Sequence, residues 1–201
     1  MDKNIEIMKT KLQMSLMIGV AAAAAVFLTG CATSGMGDAP PSHNRPETSL
    51  SAEARAALAK LTADVPAAAS LAQGARGILV FPGVTKGGFI VGAFHGEGVM
   101  FKQGKVHGYY DTGGASYGLQ AGLQNYGYAL FFMSDSALQY VDNTDGWEIG
   151  MGPSIVIVDA GMGKNLTSTT AKKDVYGFIF DQKGLMAGIG LQGSKIVRVD
   201  R

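Results

Sequence analysis

Two glycine motifs in this chain have the spacing of loops that do chemistry. Residues 114–118, GASYG, fit the G-x-S-x-G pattern around a hydrolase nucleophile. That chemistry needs an acidic residue and then a histidine downstream of the serine, on a strand-to-helix turn. The last histidine, His107, precedes Ser116, and the segment is predicted to run from strand to strand. The residue order therefore argues against a hydrolase.

The second motif, GIGLQG at residues 188–193, fits the G-x-G-x-x-G pattern of a dinucleotide-binding loop. Such a loop needs a following helix and an acidic residue about 20 positions further on. Eight residues follow Gly193 in this sequence, so we interpret the match as accidental.

Other residues that often bind metals or catalyse reactions lack a fixed spacing here. His95 and His107 have no partner at ligand spacing, and four aspartates are predicted as turn residues: Asp111, Asp135, Asp142 and Asp145. We therefore expect no catalytic set, no cofactor and no metal site.

Residues 1–30 predict a bacterial lipoprotein signal peptide that ends just before Cys31. Lys3, Lys9 and Lys11 form a basic start, residues 12–28 are apolar and alanine-rich, and LTGC at 28–31 resembles a lipobox. In that pattern Cys31 carries the lipid, palmitate included, and becomes the first residue after cleavage. The alternative is an uncleaved transmembrane anchor, but the apolar run is shorter than the ~20 residues that a span needs.

The mature protein is predicted to be a tethered domain of the cell envelope. Ala32 follows the lipidated cysteine, which by the usual sorting pattern favours the outer membrane, facing the periplasm. Residues 31–48 predict a flexible Gly/Pro/Ser tether, and residues 49–201 the domain. Without residues 1–30 the chain has 14 basic and 14 acidic residues, so its net charge does not favour nucleic acid.

The domain is predicted to be organised around a hairpin at residues 113–134. Residues 116–124 alternate as a strand, with Leu123 on an apolar face and Gly118 and Gly122 on a small, polar face. Residues 125–127 predict a short loop, and the apolar run 128–133 predicts a second strand buried on both faces. Because glycine weakens a strand, we expect close packing at Gly118 and Gly122 in a curved sheet.

The remaining pattern predicts an α+β fold: an antiparallel, glycine-rich β-sandwich or barrel-like sheet with N-terminal helices. One helix is expected at 49–63 with Ser49 or Ser51 as N-cap, a second at 67–73 started by Pro66, and a third capped by Ser134. Further short strands are expected at 78–81, 88–94, 98–101, 106–110, 147–150, 154–159, 175–180, 185–191 and 196–199.

The ordered set of glycine-rich segments resembles the SYLF family, which is also described as an actin-binding domain after its yeast members. The matching residues are 76–82, 86–89, Gly92, 96–99, 114–120, Gly122, 152–153, Tyr176, 183–188 and 193–194, and they extend over roughly residues 50–200. The family often has Trp-x-x-Pro ahead of the G-A-S segment, where this chain has VHGYYD at 106–111. The resemblance implies lipid binding, of phosphoinositides in eukaryotic members and with actin binding in yeast.

These observations predict a lipid-anchored envelope protein whose domain binds an anionic or amphiphilic phospholipid. Because the mature chain is neutral, a local basic cluster would have to meet an anionic headgroup. Arg76, Lys86 and Lys183 each precede a glycine inside the matching segments, at expected turns whose N–H groups would help hold an anion. The alternative is a non-catalytic scaffold that binds another envelope protein through the same sheet.

Overall fold

The computed structural model describes residues 46–143, 146–158, 163, 166–184 and 193–200, with residues 89, 90, 116–121 and 184 described by their backbone. Three helices and six strands lie in these ranges: α1 Glu47–Asp64, α2 Pro66–Gly74, β1 Gly77–Lys102, β2 Lys105–Phe132, α3 Asp135–Asn143, β3 Trp147–Glu148, β4 Ile155–Ile157, β5 Val175–Gly184 and β6 Lys195–Val199. The predicted signal peptide, most of the tether and the strand expected at 185–191 lie outside the described residues.

The helix starts follow from local chemistry. Pro66 begins α2 because its fixed φ suits the first helical turn. At α3, the backbone N–H of Ala137 donates to Ser134 Oγ over 3.2 Å, which confirms the predicted cap. The predicted cap of α1 was wrong: the helix begins after Pro46 with no side-chain cap, because the hydroxyls of Ser49 and Ser51 bond to Glu53 and to the Thr48 carbonyl instead.

The predicted short strands merge into two long ones, β1 and β2, joined by a tight turn. Gln103 and Gly104 form that turn with φ of 49° and 73°. The loop expected at residues 125–127 was wrong, because Asn125 pairs with Thr85 and the following residue pairs with Val84 inside one continuous ladder. A glycine can sit in a long strand where a neighbouring chain segment approaches closely, so it need not mark a turn.

Strand β2 is the centre of the sheet. It pairs with β1 along one edge and with β5 and β6 along the other, all antiparallel, while β4 lies parallel to β5 and β3 pairs with β6. Residues 128–132 are inaccessible to solvent, as predicted for a strand buried on both faces. The predicted α+β class is confirmed, with a mostly antiparallel sheet.

The β1–β2 hairpin folds back on itself, which makes the sheet curl as expected for a barrel-like fold. At the bend, residue 90 of β1 alone lies opposite residues 118–120 of β2, and a Cβ on Gly88 would collide with the backbone of Gly92. The fold-back places Phe81 against Gly98, where a Cβ would come within 2.6 Å of the phenyl ring. Glycine is required at Gly88 because two backbone segments meet there, and at Gly98 because the Phe81 ring occupies the space of a Cβ.

The curled sheet has two faces with different cover. The inner face, enclosed by the curl, packs against α3 and Trp147 through Leu79, Phe81, Met100, Tyr110, Tyr128, Leu130 and Phe132. The outer face packs against α1 and α2 through Val80, Val99, Phe101, Ala129, Phe131, Tyr176 and Phe178.

Candidate functional site: an apolar groove on the outer face

The corner between α1 and α2 leaves part of the outer face uncovered. Val65 is extended at this corner, with φ −122° and ψ 101°, because a residue before proline is excluded from the helical region. Beside the corner lies a groove of about 560 Å³, which we call the outer groove. Its lining is Leu61, Asp64, Val65, Pro66, Ala67, Val158, Gly163, Phe178, Ile179 and Phe180.

The outer groove has the size and chemistry of a ligand site. Sites for small molecules are typically about 300–1,000 Å³, mainly apolar, with a few polar groups that fix orientation. Here Asp64 is the one charged residue among the lining residues. The aromatic rings of Phe178 and Phe180 reach the outer face because alternate residues of β5 share that face. A Cβ on Gly127 would collide with Phe180, so glycine is needed beneath this part of the groove.

A small charged network lies at the rim of the outer groove. Lys60 Nζ lies 3.0 Å from Asp181 Oδ1 and 3.3 Å from Asp64 Oδ2. The hydrogen bond to Asp181, followed by that to Asp64, raises the pKa of Lys60. Asp181 has φ of 50°, and β5 bulges there, since Phe180 pairs with Gly127 and Lys183 pairs with Asn125. All three side chains of the network are largely exposed.

Beyond the groove the outer face is open to solvent, as a strip formed by Thr85, Leu123, Asn125 and Lys183. The register places these residues on one face, with Lys183 opposite Asn125 and thus diagonal to Leu123. Leu123, which was predicted on the apolar face of the strand, is 68% exposed, whereas Gln124 from the polar face is 3% exposed. The described helices α1, α2 and α3 do not cover these exposed residues, while the curl encloses the inner face.

The close packing predicted at Gly122 is also wrong. A Cβ on Gly122 would have no atom within 4 Å, so the space beside it is open. Glycine is required for its backbone, because φ is 132°, a region that side chains with a Cβ rarely adopt. The side-chain surroundings of position 118 lie outside the described part of the chain.

The structure does not gather the three predicted headgroup residues into one cluster. Arg76 precedes β1 and lies 3.7 Å from Asp135, whereas Lys86 lies ten residues further along the chain, inside β1. Lys86 and Lys183 lie inside strands and not in turns. The register places Lys86 on the face of Gln124 and Lys183 on the face of Asn125, so they point to opposite sides of the sheet. Of the three, Lys183 is the residue near the outer groove, and the binding of a headgroup by any of them stays a prediction.

A polar cluster that sequence reasoning missed lies on the inner face. Asp142, predicted as a turn residue, belongs to α3 and accepts hydrogen bonds from Tyr110 (2.6 Å) and Lys102 (2.7 Å). His107 Nε2 lies 3.3 Å and Arg198 Nη1 3.7 Å from its oxygens. Burial alone would raise the pKa of Asp142, but the bonds from Lys102 and Tyr110 outweigh burial and lower it. These contacts join α3 to the β1–β2 hairpin. No local sequence motif predicts the cluster.

The structure also argues against a nucleophile loop at residues 114–118. Ser116 lies within β2, which continues to Phe132, so it does not occupy a strand-to-helix turn. Across the described ranges, no three side chains of His, Cys, Asp or Glu come together as metal ligands would. Among the helices that the structure describes, none has the length and apolarity to cross a bilayer.

The described residues thus form an α+β domain with a curled sheet and an apolar groove beside the corner between α1 and α2. Residues 113–201 match the family described as Ysc84, Las17-binding protein actin regulator. This match over residues 113–201 confirms the resemblance to the SYLF family that the glycine pattern indicated. No curated protein matches the chain.

Proposed function

We propose that this domain is a non-catalytic phospholipid-binding module whose outer groove holds an acyl chain. The observation that carries the proposal is an apolar groove of about 560 Å³ beside a charged rim, in a family associated with lipid binding. Burial of an acyl chain is favourable by about 0.8 kcal/mol per methylene group. The charged rim would then keep the polar headgroup at the surface.

A variant that fills the groove tests this proposal. A Cβ on Gly163 would lie 3.7 Å from Ala67 Cβ and from Val158 Cγ1, which is ordinary contact. Gly163→Leu should therefore occupy the groove, whereas Gly163→Ala should leave most of it open. We expect Gly163→Leu to weaken binding of monomeric dihexanoylphosphatidylcholine at least about tenfold, as measured by calorimetry. The reason is that filling the groove removes about 1.4 kcal/mol or more of the free energy that the lipid gains by burying its acyl chain. Equal binding by Gly163→Leu and Gly163→Ala would contradict a lipid site in the groove.

We further propose that the domain is held at the envelope through a lipid on Cys31, at the periplasmic side of the outer membrane. The support is the basic, apolar and LTGC pattern of residues 1–31. Cys31→Ala should abolish incorporation of radiolabelled palmitate and release the protein from the membrane fraction. If the Cys31→Ala protein fractionates with membranes and keeps the wild-type N-terminus, the lipoprotein interpretation is wrong.

A protein scaffold is the second candidate, and one observation favours it. Within the described residues no strand pairs with the outer edge of β1, and Val91 on that strand is 61% exposed. An unpaired edge strand can accept a strand from a partner protein. Capture of an envelope protein that survives Gly163→Leu but is lost on Val91→Lys would favour the scaffold over the lipid module.

A further inference from the structure

We infer that the rim of the outer groove selects a zwitterionic phospholipid, one that carries an ammonium group beside its phosphate, over a purely anionic one. This inference rests on the proposed function and names the headgroup class for the same site. It differs from the expectation of an anionic headgroup, and it depends on three contacts at the rim: those of Lys60, Asp64 and Asp181.

The cation nearest the groove is already neutralised. Lys60 lies between two carboxylates, at 3.0 Å from Asp181 and 3.3 Å from Asp64. The lysine and its two partners together carry a charge of −1. An anionic headgroup at this position would meet a negatively charged rim, and it could bind Lys60 only by separating it from its carboxylates.

A zwitterionic headgroup can exchange partners without leaving a charge unpaired. Its ammonium group can take the place of Lys60 at Asp181, and Lys60 can then turn to the phosphate. Lys60 keeps its contact with Asp64 during this exchange, so each charge has an opposite neighbour before and after it. The phosphate of an anionic lipid brings no cation, so the same movement would leave a carboxylate without its partner.

A second cation, Lys183, lies close to the rim along the chain. Lys183 follows Asp181 by two residues on β5 and lies on the exposed strip beyond the groove. In the described part of the chain its ammonium group has no acidic partner within 4 Å. Together, Lys183 on the strip and the three rim residues supply two positive and two negative charges, which suits a headgroup with one of each.

Monomeric short-chain lipids test the inference on the full chain. Calorimetry would compare dihexanoylphosphatidylethanolamine, which is zwitterionic, with dihexanoylphosphatidylglycerol, which is anionic. We expect the wild-type protein to bind the ethanolamine lipid more tightly by about fivefold, as two exposed charge pairs would give. The double variant Asp64→Asn/Asp181→Asn should lose this preference and bind the glycerol lipid more tightly than the wild type does.

Asp135→Asn is the matched control, because it removes an exposed carboxylate that pairs with Arg76 at the other end of the sheet. It should keep the wild-type preference. Equal or tighter binding of the glycerol lipid by the wild type would overturn the inference and leave the proposed function standing. A preference that survives in the double variant would also overturn it. If neither lipid binds, the proposed function fails, and the inference fails with it.

Discussion

The two faces of the sheet differ in how far helices cover them. On the inner face, aromatic rings pack against one another, as in the stacked pair of Phe81 and Tyr128 with centroids 4.6 Å apart, and α3 closes the face. On the outer face, α1 and α2 stop at the corner around Val65 and leave a groove. We therefore expect the inner face to contribute more to stability than the outer face, which holds the proposed ligand groove.

Polar groups follow the same division. On the inner face the Tyr128 hydroxyl donates to Thr112 Oγ1 over 2.8 Å, and Asp142 is enclosed by Tyr110 and Lys102. At the outer rim, Lys60 pairs with carboxylates in water. A buried hydrogen bond is costly to break, whereas exposed ion pairs contribute about 0–1 kcal/mol and exchange partners readily. The comparison indicates a fixed polar network inside and an exchangeable one outside.

The largest expected effect tests whether the inner face dominates stability. Phe81→Ala should lower the free energy of unfolding by about 3–5 kcal/mol, because a fully buried ring is removed from a closed core. Phe180→Ala, at the half-buried edge of the groove, should cost clearly less. Urea denaturation of both variants measures the difference. Equal losses would break the proposed division between the faces.

The next effect concerns the inner polar network. Asp142 is 15% exposed, and its pKa is lower in the folded than in the unfolded protein. Its contribution is therefore present at pH values above the unfolded pKa of about 4 and is lost as the pH falls through the folded pKa. Asp142→Asn should cost about 2–3 kcal/mol at pH 7.

Urea denaturation between pH 2 and pH 7 tests this assignment. The loss of stability below about pH 4 should be smaller in Asp142→Asn than in the wild type, because the variant has no carboxyl group to protonate at this position. Asp135→Asn, with its exposed pair, serves as the control and should retain the wild-type pH profile. If the two variants show the same profile, the network does not stabilise the inner face.

The smallest expected effect tests whether Gly122 is required because of its backbone conformation or because of close packing. Gly122→Ala should lower the free energy of unfolding by about 1–2 kcal/mol, because a residue with a Cβ is strained at a positive φ. Gly83→Ala is the control, since its Cβ would lie 3.7 Å from Asn125 Oδ1 and its φ carries no such strain. Thermal melting compares the two. A loss at Gly83 as large as that at Gly122 would mean that packing, and not the backbone, requires glycine in this region.

The sequence predicted correctly those helices and strands that are marked by residues close together in the chain. Pro66 and Ser134 defined helix starts, and the apolar run 128–132 identified the central buried strand. The loop at 125–127 was wrong because Gly127 makes room for Phe180, a residue more than 50 positions away. Glycine at a turn and glycine under a distant ring look the same in one sequence.

The sequence predicted the candidate site less well than it predicted the fold. The outer groove is formed by the α1–α2 corner, β4 and β5, which are brought together only by the fold. Lys183 was selected from the family-matching segments and lies near the groove, but Lys60, Asp64 and Asp181 had no sequence signal. Their pairing spans 121 positions between Lys60 and Asp181. Charge complementarity over such a separation cannot be deduced from spacing along the chain.

The continuous β1–β2 hairpin sets an order in which the domain can fold. Its ladder begins at the pair Lys102 and Lys105 and extends to Gly77 and Phe132, so it can close step by step from one turn. The other edge of β2 pairs with residues 175–184 and 195–199, which are synthesised after the hairpin. Until those strands arrive, the apolar edge of β2 is open to pairing with another chain. Until residues 175–199 have been synthesised and paired with β2, we therefore expect aggregation to compete with folding.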